Sequence, residues 1–173
     1  MADFELLTDQ LHFPEGPIAT SDGVVVVEIQ TGDLTRVRTD GTAERVAHCG
    51  GGPNGAAVGP DGKIYVCNNG GFEWHDLGGI VAPGHQPGDY IGGRIQRVDP
   101  ATGDVADVYD HVGQHALKGP NDIVFDAAGG FWFTDLGKTR DRDMDRGGLY
   151  YATPDGGRVD EVVYPLLTPN GVG

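Results

Sequence analysis

The chain has 173 residues, with 30 glycines, 11 prolines, 38% apolar residues and 26 acidic against 12 basic groups, a formal net charge of -14. This composition excludes a collagen-like repeat, a disulfide scaffold built on two cysteines and wholesale disorder, and no run reaches the roughly 18 apolar residues of a membrane-spanning helix. The acidic excess repels phosphate backbones, so nucleic acid is a poor partner and a cation a better one.

The opening from Met1 to Glu5 carries acid where a secretory leader needs basic residues before an apolar stretch. Cys49 and Cys67 stand in no CxxC pair. A reducing, cytoplasmic setting is expected, with no membrane association.

Four triplets punctuate the chain: Pro14-Glu15-Gly16, Pro53-Asn54-Gly55, Pro120-Asn121-Asp122 and Pro169-Asn170-Gly171. The first leads through Pro17 to Gly23 into Val24 to Ile29, and the second through Ala56 to Gly62 into Lys63 to Cys67. The third leads through Ile123 to Asp126 and a glycine turn into Gly130 to Thr134. Each reads as a hairpin closed by a glycine-containing turn. A second hairpin follows in every unit, beginning at Leu34 to Val37, Arg94 to Val98 and Gly148 to Ala152. Its turns fall at Thr39-Asp40-Gly41, Asp99 to Gly103 and Thr153 to Gly156.

Four strands per unit, with the middle residues of the triplets 39, 67 and 49 positions apart, predict an all-β fold of propeller blades. The excess in the second interval lies at Gly70 to Gly93. No window keeps a helical apolar period for three turns. A sandwich or ordinary barrel is the competing all-β reading, but neither requires the same opening triplet in each unit.

The first strand of a propeller blade lines the central channel, so the triplets should converge at one mouth of it. Glu15, Asn54, Asn121 and Asn170 would then bring one carboxylate and three amides together. Oxygen-only donors suit Ca²⁺, with Mg²⁺ or Mn²⁺ as alternatives, and do not suit copper or structural zinc. The rival reading is that Asn-Gly is a turn dipeptide, which gives no reason for glutamate at position 15. Loops after the second strands should overhang the same mouth. Glu28, Asn68, Asn69 and Asp135 are the candidate substrate-binding polar groups and Phe72, Trp74 and Tyr90 the candidate walls, the alternative being that they cover the blade face.

Two motifs fail on context. Gly50 to Gly55 matches GxGxxG without a following helix pattern, and Asp141 to Gly147 resembles a calcium loop but lacks its glycine and its closing glutamate. The six histidines form no HExxH, and no serine sits in a GxSxG elbow.

Phe13-Pro14-Glu15-Gly16-Pro17, Gly119-Pro120-Asn121-Asp122 with Gly129 to Asp135, and Thr168-Pro169-Asn170-Gly171 resemble the SMP-30/gluconolactonase/LRE-like family of six-bladed propellers. The resemblance runs along essentially the whole chain. It implies a divalent metal, usually calcium, at the axis and hydrolysis of a small-molecule lactone or related ester by metal-activated water. It implies Glu15 and Asn170 as metal ligands, with Asn121 contacting the metal, its water or the substrate; Asn54 rests on register alone.

Two departures limit the transfer. Sugar-binding members can carry an arginine two residues before the Asn121 position, where this chain has Gly119 beside Lys118. The family's later aspartate, often proposed as the base, has no counterpart here, and Asp122 is the stand-in. Residues 1–173 are therefore expected to be one partial propeller domain, with blades at about 14–52, 53–119 and 120–168 and a fourth opening at 169. The chain would be a truncated portion whose activity is in doubt, with Phe4 to Leu11 a strand meant for a final blade and two copies able to close on each other. A non-catalytic binding propeller and a phosphotriesterase-like hydrolase are the rival functions, and oligomeric state is not legible.

Overall fold

The computed structural model describes residues 4–173, so Met1, Ala2 and Asp3 of the acidic opening lie outside the described residues. Those residues are all-β, and no helix among them is long and apolar enough to cross a membrane. The first sheet runs β1 (Pro14–Thr20), β2 (Gly23–Glu28), β3 (Asp33–Arg38) and β4 (Ala43–His48) in antiparallel up-and-down order.

The second sheet begins with β5 (Pro53–Val58) and β6 (Ile64–Asn68), and is interrupted by a separate hairpin, β7 (Trp74–Asp76) with β8 (Val81–Pro83). It resumes with β9 (Arg94–Val98) and β10 (Val105–Tyr109), giving the order β5-β6-β9-β10. A short hairpin of β11 (His111–Val112) and β12 (His115–Ala116), absent from the sequence reading, follows. The third sheet is β13 (Pro120–Phe125), β14 (Phe131–Asp135), β15 (Gly147–Ala152) and β16 (Val159–Leu166).

The sheets stack face to face through two apolar cores. Val25, Val27 and Leu34 of the first sheet meet Ile64, Val66 and Val98 of the second. On its other side the second sheet presents Tyr65, Cys67 and Ile95 to Ile123, Phe131, Phe133 and Tyr150 of the third. Alternate residues of β6 therefore enter different cores, which is why Ile64–Asn68 is buried throughout rather than alternating. Phe133 stacks on Tyr150 with centroids 5.1 Å apart, and Phe131 lies 5.7 Å from Tyr65, tying the second interface with aromatic contacts.

First strands of successive sheets are neighbours, β1 on β5 and β5 on β13. Two triplet glycines permit that approach. A Cβ on Gly16 would lie 2.7 Å from the Ala56 nitrogen, and one on Gly55 would lie 2.5 Å from the Asn121 carbonyl oxygen. Neither gap admits a methyl group.

Phe4 to Leu11 does not form the expected strand. No ladder in the described residues includes it, and Phe4 and Leu6 are largely exposed.

Candidate metal centre and its rim

The register of each first strand breaks at its triplet. The shift falls between Glu15 and Ile18 in β1, between Pro53 and Gly55 in β5 and between Pro120 and Ile123 in β13. An irregularity of this kind re-aims a side chain that would otherwise follow the pleat. The residues before the first and fourth triplets, Phe13 and Thr168, have φ of 57° and 43°, which side-chain-bearing residues rarely adopt. Such strain persists only where the surroundings impose it, and it recurs at functional sites.

Glu15, Asn54, Asn121, Asp122 and Asn170 line one cavity of about 190 Å³. No hydrogen bond within the described residues engages the side chains of Glu15, Asn54, Asn121 or Asn170, although Asn121 is only 4% exposed. Its amide opens onto this cavity, where water, an ion or a ligand can meet it. The donor set, one carboxylate with amide oxygens and neither thiol nor imidazole, fits a hard divalent cation.

Asp122, the candidate base, is engaged by the backbone. Its Oδ1 accepts from the Ile123 N–H at 2.9 Å and its Oδ2 from the Val172 N–H at 3.0 Å. Thr134 completes the brace: its Oγ1 donates to the Asn170 carbonyl at 2.6 Å and accepts from the Asp122 N–H at 3.2 Å. The carboxylate thereby holds two triplets together, a role that fits bracing better than proton transfer.

The three candidate substrate groups on the second strands are placed differently from expectation. Register sets Glu28 opposite Pro14, Asn68 opposite Pro53 and Asp135 opposite Pro120, so they occupy equivalent positions. None lines the Glu15 cavity. Buried Glu28 accepts from the Thr35 hydroxyl and from the His12 N–H at 2.6 Å. Asn68, fully buried, accepts from the Gly52 and Gly70 N–H groups, each at 3.0 Å, and donates to Gly50 and Gln96. Asp135 accepts from Gly119, Lys118 and Gly137 N–H groups at 2.7 to 2.8 Å. Burial pushes the Asp135 carboxyl above its ordinary range while these donors draw it back. Each of the three satisfies chain that leaves the sheet, which would otherwise bury unpaired backbone polar groups.

The two long loops are joined into a single rim. The Gln86 N–H donates to the Thr139 carbonyl at 2.9 Å, and Arg140 donates to Gln86 at 3.2 Å. Between them lies Lys138, 3% exposed, whose ammonium donates to the Gly71 carbonyl and to Asn69 Oδ1 and sits 4.0 Å from the centre of the Phe72 ring. Burial lowers its pKa to about 7, against the opposing pull of Asp135 and Asp145. The sequence reading missed this residue, since a lysine in a loop dense with charged residues looks solvated. Phe72 and Trp74 line a cavity of about 370 Å³ at the rim that shares no lining residue with the Glu15 cavity. Tyr90 is not part of it; its hydroxyl donates to the Lys118 carbonyl at 2.6 Å.

The family described as SMP-30/Gluconolactonase/LRE-like region matches residues 13–173. A gluconolactonase of Zymomonas mobilis is 30% identical over 128 residues, covering 70% of this chain and 30% of that protein. Lactonase drp35 of Staphylococcus saprophyticus is 31% identical over 121 residues, covering 69% of this chain and 31% of that protein. A solved gluconolactonase of Xanthomonas campestris superposes with a TM-score of 0.70 at 24% identity, covering 95% of this chain and 52% of that one, and shares the fold. The chain thus spans about a third of the curated relatives it matches and about half of the solved one.

Proposed function

The chain belongs to the SMP-30/gluconolactonase/LRE-like family, and from that premise we propose that it forms part of a metal-dependent lactonase, with its cation held by Glu15, Asn121 and Asn170. The observation that carries this reading is that Glu15, Asn54, Asn121 and Asn170, none of whose side chains is engaged by a hydrogen bond among the described residues, line one cavity. Three four-stranded sheets over 52% of a solved gluconolactonase support a six-bladed ring for the whole architecture.

Glu15 contributes the negative charge of the site, while Asn121 and Asn170 contribute neutral oxygens fixed by the register breaks and by the Asp122 brace. Asn54, on the intervening first strand, is placed to contact the substrate or its water rather than to neutralise charge. A divalent cation bound there, Ca²⁺ by the hardness of the donors with Mg²⁺ and Mn²⁺ as alternatives, supplies Lewis acidity toward a lactone carbonyl and a water molecule. The rim formed by the two joined loops confines a small ester over the mouth and limits bulk water. Cys49 and Cys67, both buried and unbridged, support a reducing, cytoplasmic setting.

Hydrolysis of glucono-δ-lactone, followed by proton release with and without a chelator, tests the proposal. Turnover abolished by chelation and restored by calcium supports it. Turnover indifferent to chelation contradicts it.

A further inference from the structure

A second cavity, of about 340 Å³, lies between the β11–β12 hairpin and the outer strands β15 and β16 of the third sheet. It shares no lining residue with the Glu15 cavity. Lys118 and Arg146 stand on its wall with His115 beside them.

In a chain with 26 acidic and 12 basic residues, a cation without a carboxylate partner is the exception. Eight of the twelve lysines and arginines are in ion pairs: Arg36, Arg38, Arg45, Lys63, Arg94, Arg97, Arg140 and Arg158. Among the described residues, Lys118 and Arg146 are two of the four with no carboxylate oxygen within 4 Å, although Asp145 is near enough to Lys118 to feel its charge, and both line this cavity.

Two of its three carboxylates are already engaged. Asp145 is gripped by both terminal nitrogens of Arg140 at 3.0 Å, and Asp135 by three backbone N–H groups. Glu161 remains as an acceptor. The phenols of Tyr150 and Tyr164 complete the wall, and no hydrogen bond among the described residues engages either hydroxyl. Tyr150 is fixed by its stack on Phe133, and burial together with Asp135 and Glu161 raises its pKa, so it remains an O–H donor.

We propose that this cavity binds a small hydroxy-carboxylate, its carboxylate on Lys118 and Arg146 and a hydroxyl donating to Glu161. Arginine and lysine together recognise a compact oxyanion through charge-assisted hydrogen bonds. Glu161, a carboxylate with no donor of its own among the described residues, favours an anion that also carries O–H groups over a bare one. The site stands on its own lining; that lactone opening would yield this same class of molecule rests on the function proposed above, and makes the cavity a place for product to linger or to regulate.

Calorimetric titration with sodium gluconate tests it, using the intact chain, a Glu15→Gln variant and a Lys118→Met/Arg146→Met variant. Binding retained in Glu15→Gln and weakened at least about tenfold in the double variant supports the site. Glucose, which lacks the carboxylate, should not bind, and inorganic phosphate should bind more weakly than gluconate. Binding lost in Glu15→Gln but intact in the double variant would assign gluconate to the central cavity and overturn the proposal, as would no binding at all or equal binding of phosphate. Should the double variant not fold, Arg146→Met and Glu161→Gln, at exposed positions, are expected to weaken gluconate binding, and unchanged affinity in both overturns the site equally. An intact chain that binds gluconate but opens no lactone in the presence of calcium would sink the function proposed above and leave this site standing.

Discussion

Asp122 accepts the backbone N–H of Val172 at 3.0 Å across fifty residues of chain, so one carboxylate fixes the third triplet against the fourth. Through Thr134, the same residue also constrains the carbonyl of Asn170. The geometry of two candidate ligands therefore depends on a side chain that need not itself touch the cation.

Replacing Asp122 separates bracing from proton transfer. Asp122→Ala leaves two N–H groups without their acceptor and should cost about 1–3 kcal/mol of stability, with weaker calcium binding in parallel. Asp122→Asn keeps an acceptor and should lose less of both. Denaturant titration combined with calcium titration reads the two together. If Asp122→Asn lowered lactone turnover severely while stability and calcium affinity stayed unchanged, the residue would be acting as a base.

Asn54 and Asn68 should behave oppositely. Asn68→Ala strands the N–H groups of Gly52 and Gly70 and the carbonyl of Gly50 in the interior, and a loss of about 2–3 kcal/mol is expected. Asn54→Ala removes no protein hydrogen bond and should change stability by no more than about 0.5 kcal/mol while altering ligand or substrate affinity. Equal destabilisation of the two variants would contradict the division between clamp and site.

Gly55→Ala probes the closeness of the first strands. The added Cβ would lie 2.5 Å from the Asn121 carbonyl oxygen, and β5 and β13 must separate to admit it. A destabilisation of about 1–3 kcal/mol is expected, accompanied by reduced calcium affinity because Asn121 moves with its backbone. Wild-type melting and affinity in this variant would show that the strands are not held so near.

Much of this architecture could be read from residue order. Glycine-closed hairpins and the recurrent triplets indicated the blades, and the glutamate at position 15, which turn chemistry does not demand, indicated the oxygen site. Which polar side chains are already engaged could not be read. Asn54 and Asn68 are each one residue from a loop, yet only Asn68 has stranded backbone from two distant segments around it, at Gly50 to Gly52 and at Gly70. Glu28 and Asp135 carry the same ambiguity, since a clamp and a substrate contact call for the same residue types. The β11–β12 hairpin escaped notice because two-residue strands carry no period.

Lys138 gives the fold a pH dependence with a definite sign. Its pKa falls from an ordinary 10.5 to about 7 on burial, so between those values the unfolded chain holds the extra proton and stability rises with pH. The slope is at most about 1.4 kcal/mol per pH unit. Buried Cys49, whose pKa rises from 9.0 to about 12, acts in the opposite sense above pH 9, leaving pH 7 to 9 as the clear window. Urea midpoints should climb between pH 7 and 8.5 in the wild type and stay nearly flat in Lys138→Met. The same pH slope in both proteins would remove Lys138 as its source.

The most direct test of the metal centre is calorimetric titration of calcium into the chain and into its Glu15→Gln variant at matched ionic strength. One calcium per chain is predicted for the wild type, with affinity reduced at least about tenfold once the only unpaired carboxylate of the Glu15 cavity is neutralised. Indistinguishable calcium affinities in a folded Glu15→Gln variant would contradict the assignment of this cavity as the cation site.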